Sequence, residues 1–156
     1  PKTVDRMMAI NCPLEYDSVN ARMRTASMTE LVDWLAARTP EATSALSDAS
    51  KADPQAVSAS MAGLQANNLF GGVRDLGVPC LFVYGPNDPA VSMPTQEKTD
   101  TFPNHMHQIN LEGAGHFPMV DNPTQFNRLM TDFLALDSGV SPRELQMKEE
   151  WKRRVR

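Results

Sequence analysis

The sequence predicts an α/β domain built on parallel strands. Three observations carry this. Short apolar runs at residues 6–12, 79–84 and 106–112 have strand length. Stretches with helical spacing separate them. The clearest run, Cys80–Tyr84, is apolar on both faces, as in a parallel sheet covered by helices on each side.

Each element has a local cause. The first strand closes on Asn11-Cys12-Pro13, a turn signal. Residues 14–26 show no clear period. Ser27-Met28-Thr29-Glu30 is a capping box, and the helix it opens runs through Leu31, Val32, Trp34 and Leu35 and stops before Pro40. Pro40 suits the first position of a second helix, capped by Thr39. Asp53-Pro54 repeats that device and predicts a helix to Asn67, with Val57, Met61 and Leu64 on one stripe. Residues 69–76 read as a short segment interrupted by glycine. The strand at 79–84 ends in Gly85-Pro86-Asn87-Asp88-Pro89, dense turn chemistry. A helix over 94–102 and a strand over 106–112 follow, then the loop Gly113-Ala114-Gly115-His116-Phe117-Pro118. Asn122-Pro123 starts an amphipathic helix carrying Phe126, Leu129, Met130, Phe133 and Leu134. A last helix is expected after Ser138-Gly139, capped by Ser141 with Pro142 at its start. The domain organisation is therefore a core from 1–16 and 77–137, a helical block at 17–76 inserted between the first two strands, and a charged helical tail at 138–156.

Composition excludes several classes. A chain of 156 residues is one domain or a piece of a larger one. Hydrophobic residues at 41% and charged residues at 22% rule out disorder as the whole account. A net charge of −4 argues against a nucleic-acid partner. No apolar run approaches the roughly 18 residues of a membrane span, so no membrane partner is expected. The start, Pro1-Lys2-Thr3-Val4-Asp5-Arg6, has no signal-peptide character and no initiator Met, which fits a chain that begins inside a longer protein. Two cysteines are too few for a disulfide framework. Cys12 ends the first apolar run and Cys80 opens the second. On neighbouring parallel strands their sulfurs would lie more than about 10 Å apart, so both read as small buried hydrophobes in a reducing, cytoplasmic setting.

Two residues stand where chemistry concentrates. Asp88 lies just past the end of one parallel strand and His116 in a glycine-rich loop just past the next. Open α/β sheets bind ligands beyond the carboxyl ends of their strands. A carboxylate that orients an imidazole is the second half of a nucleophilic triad. Taken singly, Asp88 reads equally as a turn former and His116 as an ordinary loop histidine; their joint position gives them weight. Other candidates have less support. His105 and His107 point to one face of a strand as a metal pair, but no third ligand has helpful spacing, and an exposed strand start is the plainer reading. Glu15 follows the first strand and is an alternative acid. Nothing around Cys12 lowers its pKa. No metal and no organic cofactor are implied.

The stretch Val78-Pro79-Cys80-Leu81-Phe82-Val83-Tyr84-Gly85-Pro86-Asn87-Asp88-Pro89-Ala90-Val91 resembles the seventh strand and acid turn of the α/β-hydrolase family. Leu111-Glu112-Gly113-Ala114-Gly115-His116-Phe117-Pro118 is similar to its eighth strand and histidine loop, and residues 122–134 to its closing helix. Val4-Asp5-Arg6, with the apolar run behind it, resembles the lead-in to its sixth strand. The resemblance covers residues 1–136 and implies a partial α/β-hydrolase fold, with 17–76 as a helical lid. The departure is the nucleophile: no G-x-S-x-G, nor G-x-[DC]-x-G, occurs in the sequence.

The resemblance implies the C-terminal portion of a hydrolase acting on an ester-like small-molecule substrate. His116 would be the general base and Asp88 its orienter; the nucleophile (Ser, Asp or Cys) would lie on a missing N-terminal half or a second chain. The 156-residue chain alone is expected to be inactive. Trp34, Phe70 and Phe117 are the candidate substrate-binding residues; mutual packing of the helical block accounts for the first two equally well. Without a neighbour for the first strand an apolar edge is exposed, which predicts either packing on the missing half or an oligomer. Two other readings stay open. One is a non-catalytic binding or assembly module derived from the same half-fold, and the other a lyase- or thioesterase-like variant using His116 and water. Such a module would use its tail, where Arg143, Lys148, Lys152, Arg153, Arg154 and Arg156 face only Glu144, Glu149 and Glu150. A solvated helix is the plainer reading of that segment.

Overall fold

A computed structural model describes residues 3–36, 40–53 and 55–147. Three strands, β1 (Met7–Ile10), β2 (Cys80–Tyr84) and β3 (Met106–Asn110), form one sheet in the order β1-β2-β3. Both pairings are parallel, with Met7 beside Cys80 and Cys80 beside Met106. All three strands therefore end on one rim. The run that is apolar on both faces is the middle strand, and every residue of β2 is at most 1% exposed. Full burial of such side chains contributes about 1.5–3 kcal/mol each.

Between β1 and β2 lie two 3₁₀ turns (Tyr16–Ser18 and Ala21–Arg24) and helices α1 (Met28–Leu35), α2 (Pro40–Ala49), α3 (Ala56–Ala66) and α4 (Leu69–Asp75). Helix α5 (Gln96–Asp100) joins β2 to β3, and α6 (Pro118–Asp121), α7 (Pro123–Leu134) and α8 (Glu144–Met147) follow. One face of the sheet packs Cys80, Phe82 and Tyr84 against Leu31, Leu35, Val73 and Phe102. The other packs Leu81, Val83 and Ile109 against Phe126, Leu129 and Phe133 of α7, and Leu145 of α8. Among the described residues no helix is long and apolar enough to cross a membrane.

The capping box holds. Ser27 N–H donates to Glu30 Oε2 at 2.7 Å, and Glu30 N–H donates to Ser27 Oγ at 3.3 Å. Such caps contribute about 1 kcal/mol. Asp53 accepts from Gln55 N–H at 2.8 Å ahead of α3. The Thr39 cap, Pro54 and the tail beyond Met147 lie outside the described residues. Residues 69–76 differ from expectation. They form α4, because the Asn68 side chain accepts from Gly71 N–H and supplies a cap that offsets the cost of two glycines. The aperiodic stretch 14–26 has a physical cause too. Its backbone is stitched to the turn after β2, Asn20 N–H to Ala90 O and Ser92 N–H to Ser18 O, both at 2.8 Å, so no helical face governs its sequence.

Both cysteines are free and at opposite ends of adjoining strands; Cys80 is buried as expected, whereas Cys12, just past the end of β1, is only half-buried. Arg6 closes the far end of the sheet. Its Nη1 donates to the carbonyls of Phe133 at 2.8 Å and Leu136 at 2.7 Å, satisfying the C-terminus of α7. All four residues of β1 are only half-buried. Met7 and Asn11 direct their N–H groups toward β2, so by strand alternation Met8 and Ile10 direct theirs away from it, along the open edge of the sheet.

Candidate active site

Asp88 and His116 meet on the rim. His116 Nδ1 lies 2.8 Å from Asp88 Oδ2. The Asp88 side chain is 1% exposed and that of His116 17%. Asp88 Oδ1 accepts from Ala90 N–H at 2.8 Å, so both carboxylate oxygens are engaged. An ionised carboxylate only accepts, so Nδ1 carries the hydrogen and Nε2 is the nitrogen left for chemistry.

The local chain explains why the two meet. After β2 the backbone turns at once, with Asp88 N–H donating to Gly85 O at 3.0 Å. After β3 it turns at Gly113, whose φ of +78° suits glycine. The two loops then interlock. Asn87 N–H donates to Ala114 O at 3.0 Å, and Asp121 Oδ2 accepts from Gly115 N–H at 2.8 Å. Gly85 is the point of closest approach: a Cβ there would sit 2.2 Å from Gly115 O and 2.5 Å from Ala114 O.

His116 opens onto a trough of about 520 Å³ lined by Trp34, Leu35, Ala36, Asn87, Pro89, Gly113, Gly115, Val120 and Asp121. Trp34 thus shares a wall with His116, and the Arg22 guanidinium lies 4.6 Å from its ring centroid. Phe117 meets the His116 ring edge-on, with centroids 4.9 Å apart, and bounds the imidazole on one side. Phe70 is not in that lining. Its ring packs against Phe102, with Lys98 Nζ 3.9 Å from its centroid. Glu15 does not reach His116 either; it pairs with Lys98 beside a second hollow of about 480 Å³.

The reactive groups elsewhere are restrained by burial. Burial raises the Cys12 thiol above its ordinary range and pushes Cys80 up to about 11, so neither forms a thiolate readily. His105 and His107 are not an exposed strand start. Both are half-buried, and each Nε2 is buried without a hydrogen-bond partner. The segment after α7 accounts for this. Arg143 donates to the Phe102 carbonyl at 2.8 Å and, through Nε, to that of Met106 at 3.4 Å, and so lies across the start of β3. Among the described residues no third metal-ligating side chain joins the pair.

His107 gives a pH prediction. Burial, with the nearby Arg143 charge, lowers its pKa from 6.5 to about 4. The folded state then binds the proton less readily than the unfolded chain. Stability from this residue is present above pH 6.5 and is lost as pH falls toward 4. Asp5 and Glu30 are held below their ordinary values, by hydrogen bonds from Ser138 and from Ser27 respectively, and their loss comes only at lower pH. Urea midpoints are expected to fall between pH 7 and pH 5, and His107→Gln to flatten that slope. An unchanged slope would contradict the assignment.

Sequence reading missed Asn11, Gly85 and Asp121 as parts of the site. For Asn11 a signal existed: an asparagine directly after a strand is well suited to a left-handed turn, and its φ is +42°.

No family model matches this sequence, and no curated protein matches it. Solved structures do. A hydrolase from Pseudomonas aeruginosa PA01 superposes with a TM-score of 0.65 at 17% identity, covering 87% of this chain and 57% of that one. A carboxylesterase of the ammonia-oxidizing thaumarchaeon Nitrososphaera gargenis gives 0.62 at 19%, covering 85% and 56%. An E-2-(acetamidomethylene)succinate hydrolase gives 0.61 at 22%, covering 85% and 58%. The fold is that of the C-terminal half of an α/β hydrolase. The chain spans a little over half the length of these structures.

Proposed function

We propose that this chain is the acid-and-base half of an esterase-like hydrolase. One observation carries the reading: a buried carboxylate holds Nδ1 of an imidazole that opens onto a trough at the carboxyl ends of a parallel sheet. His116 Nε2 takes the proton from a nucleophile supplied outside this sequence. The nucleophile's oxygen or sulfur bonds to the substrate's acyl carbon, and Nε2 returns the proton to the leaving alkoxide. Water then enters by the same route: Nε2 takes its proton, its oxygen bonds to the acyl carbon, and the nucleophile leaves with the proton. Asp88 orients the ring and stabilises the imidazolium.

The missing half would lie against β1, whose free edge and half-buried Met8 and Ile10 offer both hydrogen bonds and apolar surface. In the solved hydrolases 56% and 57% of the chain is matched here, and the unmatched remainder is where this reading puts the nucleophile. Trp34 would bound an ester-like small substrate in the trough, with the helical block at 17–76 as lid; Phe117, outside the trough lining, would act by holding the His116 ring. Free cysteines fit a cytoplasmic setting.

The protein recovered from its natural source tests this. Denaturing intact mass is expected to show a species above 17.3 kDa, or a second chain. That material should hydrolyse short p-nitrophenyl esters and take up a covalent organophosphonate label or a trapped acyl group. A lone 17.3 kDa species without hydrolysis would overturn the reading and favour the non-catalytic module.

A further inference from the structure

Asn11 is a polar residue buried as a whole, 3% exposed. It stands at the end of β1, and its amide spans both loops of the site. Nδ2 donates to Gly115 O at 2.9 Å and to His116 O at 2.8 Å, while Oδ1 accepts from Gly85 N–H at 2.9 Å. The partners fix the amide's orientation: reversed, an oxygen would face two carbonyls and an NH₂ group would face an N–H. Its backbone is also engaged. Asn11 N–H donates to Val83 O at 2.8 Å and continues the ladder to β2, and φ turns to +42°. Glycine would suit that angle but has no amide; most other residues would be strained there.

The consequence concerns the Asp88–His116 bond. Asp88 and His116 belong to separate loops, and a 2.8 Å contact requires those loops to be matched within a few tenths of an ångström. Asn11 holds the His116 carbonyl itself on one side and Gly85, the first residue of the acid turn, on the other. Loss of its two donors would leave two carbonyls facing a void or a repelling oxygen. We propose that Asn11 is a positioning residue that holds His116 in the Nδ1–H tautomer by locking the histidine loop to the acid turn. Its bearing on catalysis rests on the function proposed above; its effect on the imidazole does not.

Imidazole ¹⁵N NMR of this chain tests it, with His116 assigned by His116→Gln. Wild type is expected to show His116 as the Nδ1–H tautomer with a slowly exchanging proton. Asn11→Asp keeps the size and the acceptor for Gly85 N–H but loses both donors. Asn11→Gly relieves the backbone and removes the amide. Both variants are expected to exchange that proton at least about fivefold faster and to populate the Nε2–H tautomer. Wild-type tautomer and protection in both variants would overturn the proposal. Should the variants not fold, the wild type still decides. The Asn11 NH₂ protons must be protected relative to a free asparagine amide, and exchange typical of a surface asparagine refutes the role. Asp88→Asn separates the two claims. If it leaves His116 unchanged, the pair itself fails; if it alters His116 while the Asn11 variants do not, only the Asn11 role fails.

Discussion

On the function proposed above, replacing His116 by alanine in a protein that includes the proposed nucleophile is expected to lower kcat by about 10⁴-fold or more. The size follows from the geometry. Asp88 engages Nδ1 at 2.8 Å, so in the proposed acyl transfer every proton would pass through Nε2 of this one ring. Glu15 offers no substitute, being paired with Lys98 in another hollow. Asp88→Asn should also be severe. The amide can present NH₂ to Nδ1 and so favour the wrong tautomer, while preserving the Ala90 N–H contact through its oxygen. KM should change much less in Asp88→Asn, since Asp88 is not part of the trough lining, whereas His116 lines the trough beside Trp34 and its truncation alters that wall. Steady-state kinetics on a p-nitrophenyl ester reads both constants. Near-wild-type kcat in His116→Ala would show that the pair is not catalytic.

The sheet was legible because burial on two faces leaves its mark on sequence. Cys80–Tyr84 has no polar residue, and only a central strand tolerates that. The helices with reciprocal caps or a clear stripe, α1 and α7, were legible for the same kind of reason: Ser27 and Glu30 bond to each other's backbone, and Phe126, Leu129 and Phe133 share one buried face. Helix α4 was not, since its two glycines argue against a helix and the Asn68 cap that outweighs them is a single residue. Residues 14–26 were opaque because what holds them lies about 70 positions away, in the backbone of residues 90–92.

The site was half legible. Asp88 and His116 could be found because strand ends locate them one helix apart on one rim. Their supports could not, because each works through backbone atoms. Asn11 bonds two carbonyls and an N–H, Asp121 bonds an N–H, and Gly85 contributes the absence of a side chain. Backbone partners leave no complementary residue type to recognise. Phe70 shows the converse difficulty. Its aromatic character suggested a binding wall, but its neighbours are Phe102 and the Lys98 ammonium, outside the trough lining.

Gly85→Ala is the substitution expected to do most damage per atom added. Its Cβ would fall 2.2 Å from Gly115 O and 2.5 Å from Ala114 O, both backbone atoms that no rotamer change can move aside. Relief requires the histidine loop to retreat by about an ångström. That movement would break the Asn87–Ala114 bond, strain both Asn11 bonds and draw His116 away from Asp88 at once. Overpacking commonly costs about 1–3 kcal/mol. Here the lost hydrogen bonds add to it, and we expect about 3 kcal/mol or more in urea unfolding. Gly63 is the control, because a Cβ there meets nothing within 4 Å. It also lies within helix α3, where alanine is the better helix former, so Gly63→Ala should be neutral or raise stability by a few tenths of a kcal/mol. If Gly85→Ala matched Gly63→Ala in both urea midpoint and His116 tautomer, the close contact between the two loops would be wrong, and with it the route by which the acid turn and the histidine loop are held together.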